Sequence, residues 1–539
     1  MMRFRVLAIF ATISLATLAA LGAYDLFRAR PLNVIVLTVD SWRADAVTQA
    51  TMPNLFAAAR SGVEFSNHRA VSAWTGPNVV AVLTGLSSFE QGLHARGSSL
   101  PGDLDLLTKQ AGQRGWDVAG LQAFMQIDLF KNLGFAFEPA GDLEPWLTRQ
   151  QREGGRFFLW YHYLQTHLPY DSAGDLADGA EATADDPGIY VRQESVRTLP
   201  AIPAGSVAFR PSDKDWIRSA YMRGIEDFDS WFAEFWKFFK ATGLDESTIL
   251  IVTADHGEEL LERGLVGHAS TTRAGHLREE IVRIPLFIWA PSGRLPIAAG
   301  SRVNYLTDHL MIAPTIAGLV GIETSSTNEK RSLWEPDPAY VWTGLTSFGG
   351  FSEPDPDDVT KFVAAATDGK LKVQMNIDRG KITNIEKWNL QENPNETGSG
   401  RNVSGDFEGL TKRLQNEIAA MRLTSRPAAE SDLTDRSETP NWLHPRQSGT
   451  IRYDDVAESA YLSWSGDKTE RHVLEYEAGT GFLSLKGELE VEGARYDFGA
   501  VDQRYWNTWV VPYKRVRFRV RNISTPGAWS EWIELQLTP

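Results

Sequence analysis

The chain has no cysteine among its 539 residues. That excludes disulfides, thiolate metal sites and a cysteine nucleophile. Positive charge is also short: 54 Lys and Arg stand against 69 Asp and Glu, for a net charge of −15. This sign argues against nucleic acid, and against an anionic membrane, as a partner of the whole surface. A local cationic or metal site can still hold an anion within it. Charge disappears altogether in VLAIFATISLATLAALGAY, residues 6–24. Nineteen helical residues just cover a bilayer's hydrocarbon core, whereas the apolar region of a cleaved signal peptide is usually shorter. The segment is therefore expected to be a membrane anchor, with a signal peptide as the alternative. Arg3 and Arg5 before it and Arg28 and Arg30 after it leave its orientation open. In either case the rest of the chain is expected to be exported, to the periplasm or the cell exterior.

What is present is ordinary globular chemistry, 42% hydrophobic and 23% charged residues, in a chain long enough for two or three domains. NVIVLTVD (33–40), RFFLWYHYL (156–164) and STILIVTADHGE (247–258) are continuous, β-branched or aromatic runs. They read as strands buried on both faces of a parallel sheet. MPNLFAAARSGV (52–63) reads as a helix stopped by Gly62, residues 213–242 as a long aromatic helix, and IPLFIWAP (284–291) as a short strand. Strands alternating with helices predict an α/β sandwich with a mostly parallel sheet over residues 31–340. Residues 341–424 read as a small α+β subdomain: FVAAATDGKLKVQMN and KITNIEKWNL as antiparallel strands, EGLTKRLQNEIAAM as an amphipathic helix. Residues 425–447, rich in Ser, Thr, Pro and acid, suit a linker. Residues 448–539 alternate in short runs with glycine-rich turns, the pattern of a β-sandwich.

Asp40 ends the first strand, and Asp255 and His256 end the strand STILIVTA. Ligands of open parallel sheets collect beyond the carboxyl ends of the strands. Each residue alone reads as a turn cap or a packed histidine. Together, two carboxylates and an imidazole from neighbouring strand ends suit a divalent cation, zinc or manganese first, calcium or magnesium next. SAWTGPNVVAVLTG (72–85) would be a helix with Pro77 at its first position and Gly85 as its stop. Thr75 then sits at the helix mouth, where free N–H groups attract anions. A lone threonine there is ordinarily a cap. It becomes a nucleophile only if a metal beside it lowers its pKa.

NVIVLTVDSWRAD, MPNLFAAARSGVEFSN, TGPNVVAVLTG, YHYLQTHLPYD, VTADHGEELLERGLVGH and EEIVRIPLFIWAP follow in order, and with them the chain resembles the sulfatase family of the alkaline phosphatase superfamily over residues 33–420. That implies a sulfatase-like fold, a sulfatase C-terminal subdomain and a metal-dependent ester hydrolase. The chain departs from the family's pattern at the nucleophile. Where the family carries a Cys or Ser converted to formylglycine in a C/S-x-P-x-R motif, this chain has Thr75-Gly76-Pro77-Asn78-Val79, and where a second aspartate is usual it has Ser41. No formylglycine is expected. Thr-x-Pro-Asn resembles the nucleophile motif of nucleotide pyrophosphatase/phosphodiesterases, which implies that Asn78 holds an ester oxygen. Asp-His-Gly-Glu with His268 twelve residues on resembles phosphoethanolamine transferases and lipoteichoic acid synthases. That implies His167 and His268 as substrate-contacting histidines, one of them the proton donor to the leaving group. The second-metal motif of the phosphodiesterases has no counterpart, so one tightly bound metal is expected, held by Asp40, Asp255, His256 and Thr75. Three readings follow: a phosphoester hydrolase or transferase working through Thr75, a sulfuric ester hydrolase without formylglycine, or a tethered binding protein with a degenerate site. The anchor points to an envelope or lipid ester as substrate. His162 reads as a packed histidine; His276 could be packed or part of the site. Trp464, Tyr513 and the late WSEW resemble a fibronectin type III domain, which implies protein or glycan contact rather than catalysis.

Overall fold

The computed structural model describes residues 31–539 except 95–99, 103, 122–129, 131, 139–142, 171–208, 269–275, 326, 328–330, 348–360, 379, 399, 401–402, 422–439, 446–447, 453, 455–459, 467–469, 481–482, 500–513, 526–527 and 539. The anchor segment, most of the expected linker and Tyr513 lie outside the described residues. Among the described residues, no helix is long and apolar enough to cross a membrane.

The central sheet is built from β1 (Asn33–Val39), β2 (Val63–Arg69), β3 (Asp117–Leu121), β4 (Ala136–Glu138), β5 (Phe157–Tyr163), β6 (Thr248–Ala254), β7 (Arg283–Trp289), β8 (Ser301–Val303) and β9 (Thr307–Asp308). Its order is β8-β2-β7-β6-β1-β5-β3-β4, with β9 also on β2. β1 lies parallel between β5 and β6. β7, the run IPLFIWAP, is antiparallel to both β2 and β6. The three helices that matter most here are α1 (Pro53–Ala59), α2 (Thr75–Thr84) and α3 (Lys214–Ala241).

Side chains alternate between the faces of a strand, and two cores follow from this. Val34 and Val36 of β1, Phe158 and Trp160 of β5, and Ile249 and Ile251 of β6 share one core with Val79, Val80 and Val82 of α2. The intervening residues, Ile35, Leu37 and Val39 of β1 and Leu250 and Val252 of β6, pack on the other face with Phe228, Phe232 and Phe235 of α3. The aromatic run of α3 is thus core at helical spacing, as its pattern predicts. On the α2 face each strand changes character towards its carboxyl end. β1 runs Val34, Val36, Thr38, Asp40; β5 runs Phe158, Trp160, His162; β6 runs Ile249, Ile251, Thr253, Asp255. Three adjacent apolar rows therefore end in polar, fully buried groups at one rim.

α3 also terminates another helix. Its buried Asp229 accepts from the backbone N–H of Asn54 at 3.1 Å and of Leu55 at 2.8 Å, at the uncapped start of α1. Truncating such a cap costs about 1–2 kcal/mol. Asp229→Ala is expected to lower the unfolding free energy by about that amount in urea titrations, with no change in metal binding.

After the central sheet, Trp342–Ser347, Lys361–Thr367, Leu371–Asp378 and Lys381–Asn389 form a four-stranded antiparallel sheet. The helix Glu408–Ala420 packs on it through Leu410 and Leu414. In the C-terminal region a three-stranded and a five-stranded sheet share one core: Leu462, Trp464 and Tyr496 from the first, Leu474, Tyr476, Phe518 and Val520 from the second. One strand of the smaller sheet, Trp442–His444, lies inside the stretch expected to be linker. Trp442 packs edge-on to Trp464 at 5.9 Å and donates to Glu531 O at 2.9 Å.

Candidate active site

The polar rim gathers Asp40, Asp255 and His256, with one ligand atom of each within 4.8 Å of the others. Ser41, immediately after β1, has a left-handed backbone (φ 56°), which an L-residue adopts only at some cost. The turn points its N–H at Asp255 Oδ1 (3.0 Å) and its hydroxyl at Asp40 Oδ1 (2.7 Å). Tyr221 of α3 pins the turn, donating to Ser41 O at 2.8 Å and accepting from Arg43 N at 3.0 Å. Ser41 thus orients both carboxylates. Arg43 braces the outside, reaching Asp45, Glu262 and the carbonyl of Glu258. Gly257 follows His256 where backbones touch: a Cβ there would lie 2.0 Å from Glu280 O.

The electrostatics fit a cation. All three groups are fully buried. Burial works to raise the Asp40 pKa, but His167, His162 and His256 together hold it far below the usual carboxylate range. Burial and then the charge of Asp40 push Asp255 up. His256 is raised despite its burial, by Asp255 and Asp40. Asp255 Oδ2, also buried, has no well-directed hydrogen-bond donor among the described residues and lies 3.3 Å from His256 Nε2. Such a buried carboxylate, beside a second carboxylate and an imidazole, is the donor set a divalent cation takes.

Thr75 is the first residue of α2, two positions earlier in the helix than Pro77. Pro77 falls in the first turn, where a missing N–H costs nothing, and Gly85 closes the helix in the left-handed conformation (φ 74°). The N-cap is Trp74, and no side chain caps this end, so the Thr75 hydroxyl is not a cap. It is partly exposed in an otherwise buried helix and lies 3.4 Å from His256 Nε2. Asn78 departs from its expected role. It accepts from Val71 N (2.8 Å) and Ser72 N (3.0 Å) and donates to Ser72 O (2.8 Å) and Trp74 O (3.0 Å). Those bonds build the loop that presents Thr75, which makes Asn78 a positioning residue rather than an oxygen-holding one. Behind it, His309 Nε2 meets Ala254 O at 3.0 Å, and its Nδ1 lies 3.3 Å from Asn78 Oδ1.

His268 packs against His256 with the rings tilted at 46° (4.1 Å between ring centroids) and meets His167 edge-on at 5.1 Å. Its Nδ1 is 3.0 Å from Glu258 Oε1, and burial pushes the Glu258 carboxyl up to about 7. Glu258 is a site residue that the motif contains but motif reading passed over. His276 stands apart, 2.6 Å from Glu259 in a cluster with Glu280. Arg263 reaches both of those carboxylates, so a guanidinium already supplies the cation there.

Burial holds the His309 pKa down to about 3, while an unfolded histidine titrates near 6.5. The folded value is the lower one, so the unfolded state takes up the proton first and stability falls as pH drops from about 6.5 towards 3. At pH 5 the loss from this residue is about 2 kcal/mol. In metal-free protein, His309→Phe is expected to lose less stability than wild type between pH 7.5 and pH 5, measured by urea titration at each pH.

Residues 141–322 match the Sulfatase family model. Over that stretch the chain is similar to the sulfatase family. A curated sulfatase of Formosa agariphila is 27% identical over 139 residues, covering 26% of this chain and 25% of that protein. An ulvan-active sulfatase of the same organism is 23% identical over 352 residues, 57% of this chain and 66% of that one. The chain thus spans a quarter to about two thirds of the length of these relatives. Among solved structures, the phosphonate monoester hydrolase of Agrobacterium radiobacter aligns with a TM-score of 0.51 at 18% identity, over 73% of this chain and 96% of that one. At that identity the likeness is one of fold. The sulfatase-family match takes in β5, β6, Asp255, His256, His167 and His268, whereas Asp40 and Thr75 lie before its first residue.

Proposed function

We propose that this chain is a metal-dependent ester hydrolase that acts on phosphoesters through a covalent intermediate at Thr75. The observation that carries this reading is the place of Thr75: an uncapped, partly exposed hydroxyl at a helix N-terminus, 3.4 Å from an imidazole of the Asp40–Asp255–His256 set. Those three residues would hold a divalent cation, whose charge would lower the hydroxyl pKa and offset the anionic ester. Thr75 Oγ1, its hydroxyl proton lost to solvent, attacks phosphorus in line as the alkoxide; the new P–O bond forms as the bond to the leaving alcohol breaks. His268, held at Nδ1 by Glu258, protonates the departing alkoxide from Nε2, with His167 at its edge as the second donor. Water then attacks the phosphothreonine, the histidine takes up its proton, and Thr75 is released as the alkoxide again. Residues 6–24 as a tether would place the domain outside the cytoplasm, on an envelope or lipid ester.

Quenching the enzyme during turnover of an aryl phosphodiester is expected to yield a Thr75 peptide heavier by one phosphoryl group. A pre-steady-state burst with the label on another residue would sink the proposal. The two curated relatives, both sulfatases, support a second reading in which the same hydroxyl works on sulfuric esters. Parallel rates on an aryl sulfate, an aryl phosphate and a diaryl phosphate separate the two, and a faster sulfate rate favours the second.

A further inference from the structure

We propose that His162 is a positioning residue for the metal set, acting through Asp40 as the last link of a buried chain that begins at Trp160. This rests on the reading of Asp40 as a ligand. Parallel pairing sets Thr38 beside His162. Two residues on, Asp40 follows Thr38 on the same face, and two residues back, Trp160 precedes His162. The four side chains form a two-by-two patch on two neighbouring strands, each at most 1% exposed.

The hydrogen bonds in this patch run in one direction. An indole N–H can only donate, so Trp160 Nε1 donates to Thr38 Oγ1 at 2.9 Å. Thr38 Oγ1 lies 2.6 Å from His162 Nδ1 and has one hydroxyl proton to give it. With Nδ1 accepting that proton, Nε2 is the nitrogen that carries a proton and donates it to Asp40 Oδ2 at 3.0 Å. Ser41 donates to the other oxygen, Oδ1. Both oxygens of Asp40 are thus held from the protein side, and each keeps a further lone pair for a cation. A packed histidine needs none of this order. A fixed tautomer that supports a metal-ligating carboxylate does, because partners of this kind typically change metal affinity by about 10- to 100-fold.

The test is direct titration of purified metal-free protein with Zn²⁺ and Mn²⁺, by calorimetry or against a chelating dye, without reference to turnover. His162→Phe is expected to weaken binding by about 10- to 100-fold. His162→Gln, whose amide N–H can still reach Asp40, is expected to recover most of that loss. Thr38→Val keeps the shape and the imidazole but frees the tautomer, and is expected to weaken binding several-fold; it also serves if His162→Phe does not fold. Wild-type affinity in a folded His162→Phe, or in Thr38→Val where His162→Phe fails to fold, overturns this inference and leaves the proposed function standing. A wild type that binds neither ion overturns both.

Discussion

Thr75→Ala is expected to lower turnover by roughly 10⁴-fold or more, the scale on which loss of a covalent nucleophile is felt, and to leave the protein otherwise intact. The second half of that expectation gives it its edge. A threonine that capped α2 would cost about 1 kcal/mol when truncated. Here the cap position belongs to Trp74, and the loop is held by the four bonds of Asn78. Stability should therefore stay within about 0.5 kcal/mol of wild type, and Thr75→Ser should retain a measurable rate. Steady-state kinetics and a urea titration on the same preparations check both. If Thr75→Ala turns over at more than a tenth of the wild-type rate, the hydroxyl is not the nucleophile. If it unfolds instead, the helix mouth depends on Thr75 in a way the hydrogen bonds do not reveal.

Asp255→Asn is expected to have the next largest effect, and its two consequences have opposite signs. Asparagine keeps an oxygen to accept from Ser41 N and His256 N, so the turn survives. Metal affinity should fall by more than the roughly 100-fold that an outer partner costs, taking activity with it. The metal-free protein should not become less stable. Burial and the neighbouring Asp40 charge raise the Asp255 pKa, so the folded state holds that proton more tightly than the unfolded chain. Stability of the metal-free wild type therefore falls as pH rises from about 3.8 upwards through the raised value, and Asp255→Asn removes that decline. Saturating metal should restore wild type by the usual linkage, about 2.7 kcal/mol at a hundredfold excess over Kd, and do almost nothing for Asp255→Asn. Thermal melts with and without Zn²⁺ or Mn²⁺, at pH 5 and pH 8, read both effects. A wild-type melting temperature indifferent to both ions would remove the basis for metal chemistry at this rim.

Much of the scaffold was legible because burial writes itself into strand sequences. β1, β5 and β6 are continuous apolar runs, and Asp40 and Asp255–His256 stand where those runs stop. The rest depended on which strands lie side by side. His162 read as a packed histidine because a single chain does not reveal that Thr38 pairs with it. Asn78 carried an expectation from its motif, but its local geometry, a side-chain amide among the carbonyls and N–H groups of a tight loop, decided otherwise. Glu258 was visible in Asp-His-Gly-Glu, but its significance comes from full burial against His268. The strand at Trp442–His444 was hidden because proline, serine and acid dominate the surrounding composition, while its one informative residue, Trp442, makes contacts more than twenty residues away.

The change from apolar to polar along one face of β1, β5 and β6 also bears on how such a site can vary. Alternation has a period of two, so shifting any of these strands by one residue turns its polar rim residue towards the opposite core and can bring Val39, Tyr163 or Ala254 to the rim in its place. The ligand cluster is locked to the reading frame of the strands, and single-residue insertions within them should be lethal to it. His167 and His268, by contrast, stand on connections beyond the strands, where lengths change freely. In this architecture the reaction is hard to relocate, and the choice of substrate can be regrafted one loop at a time.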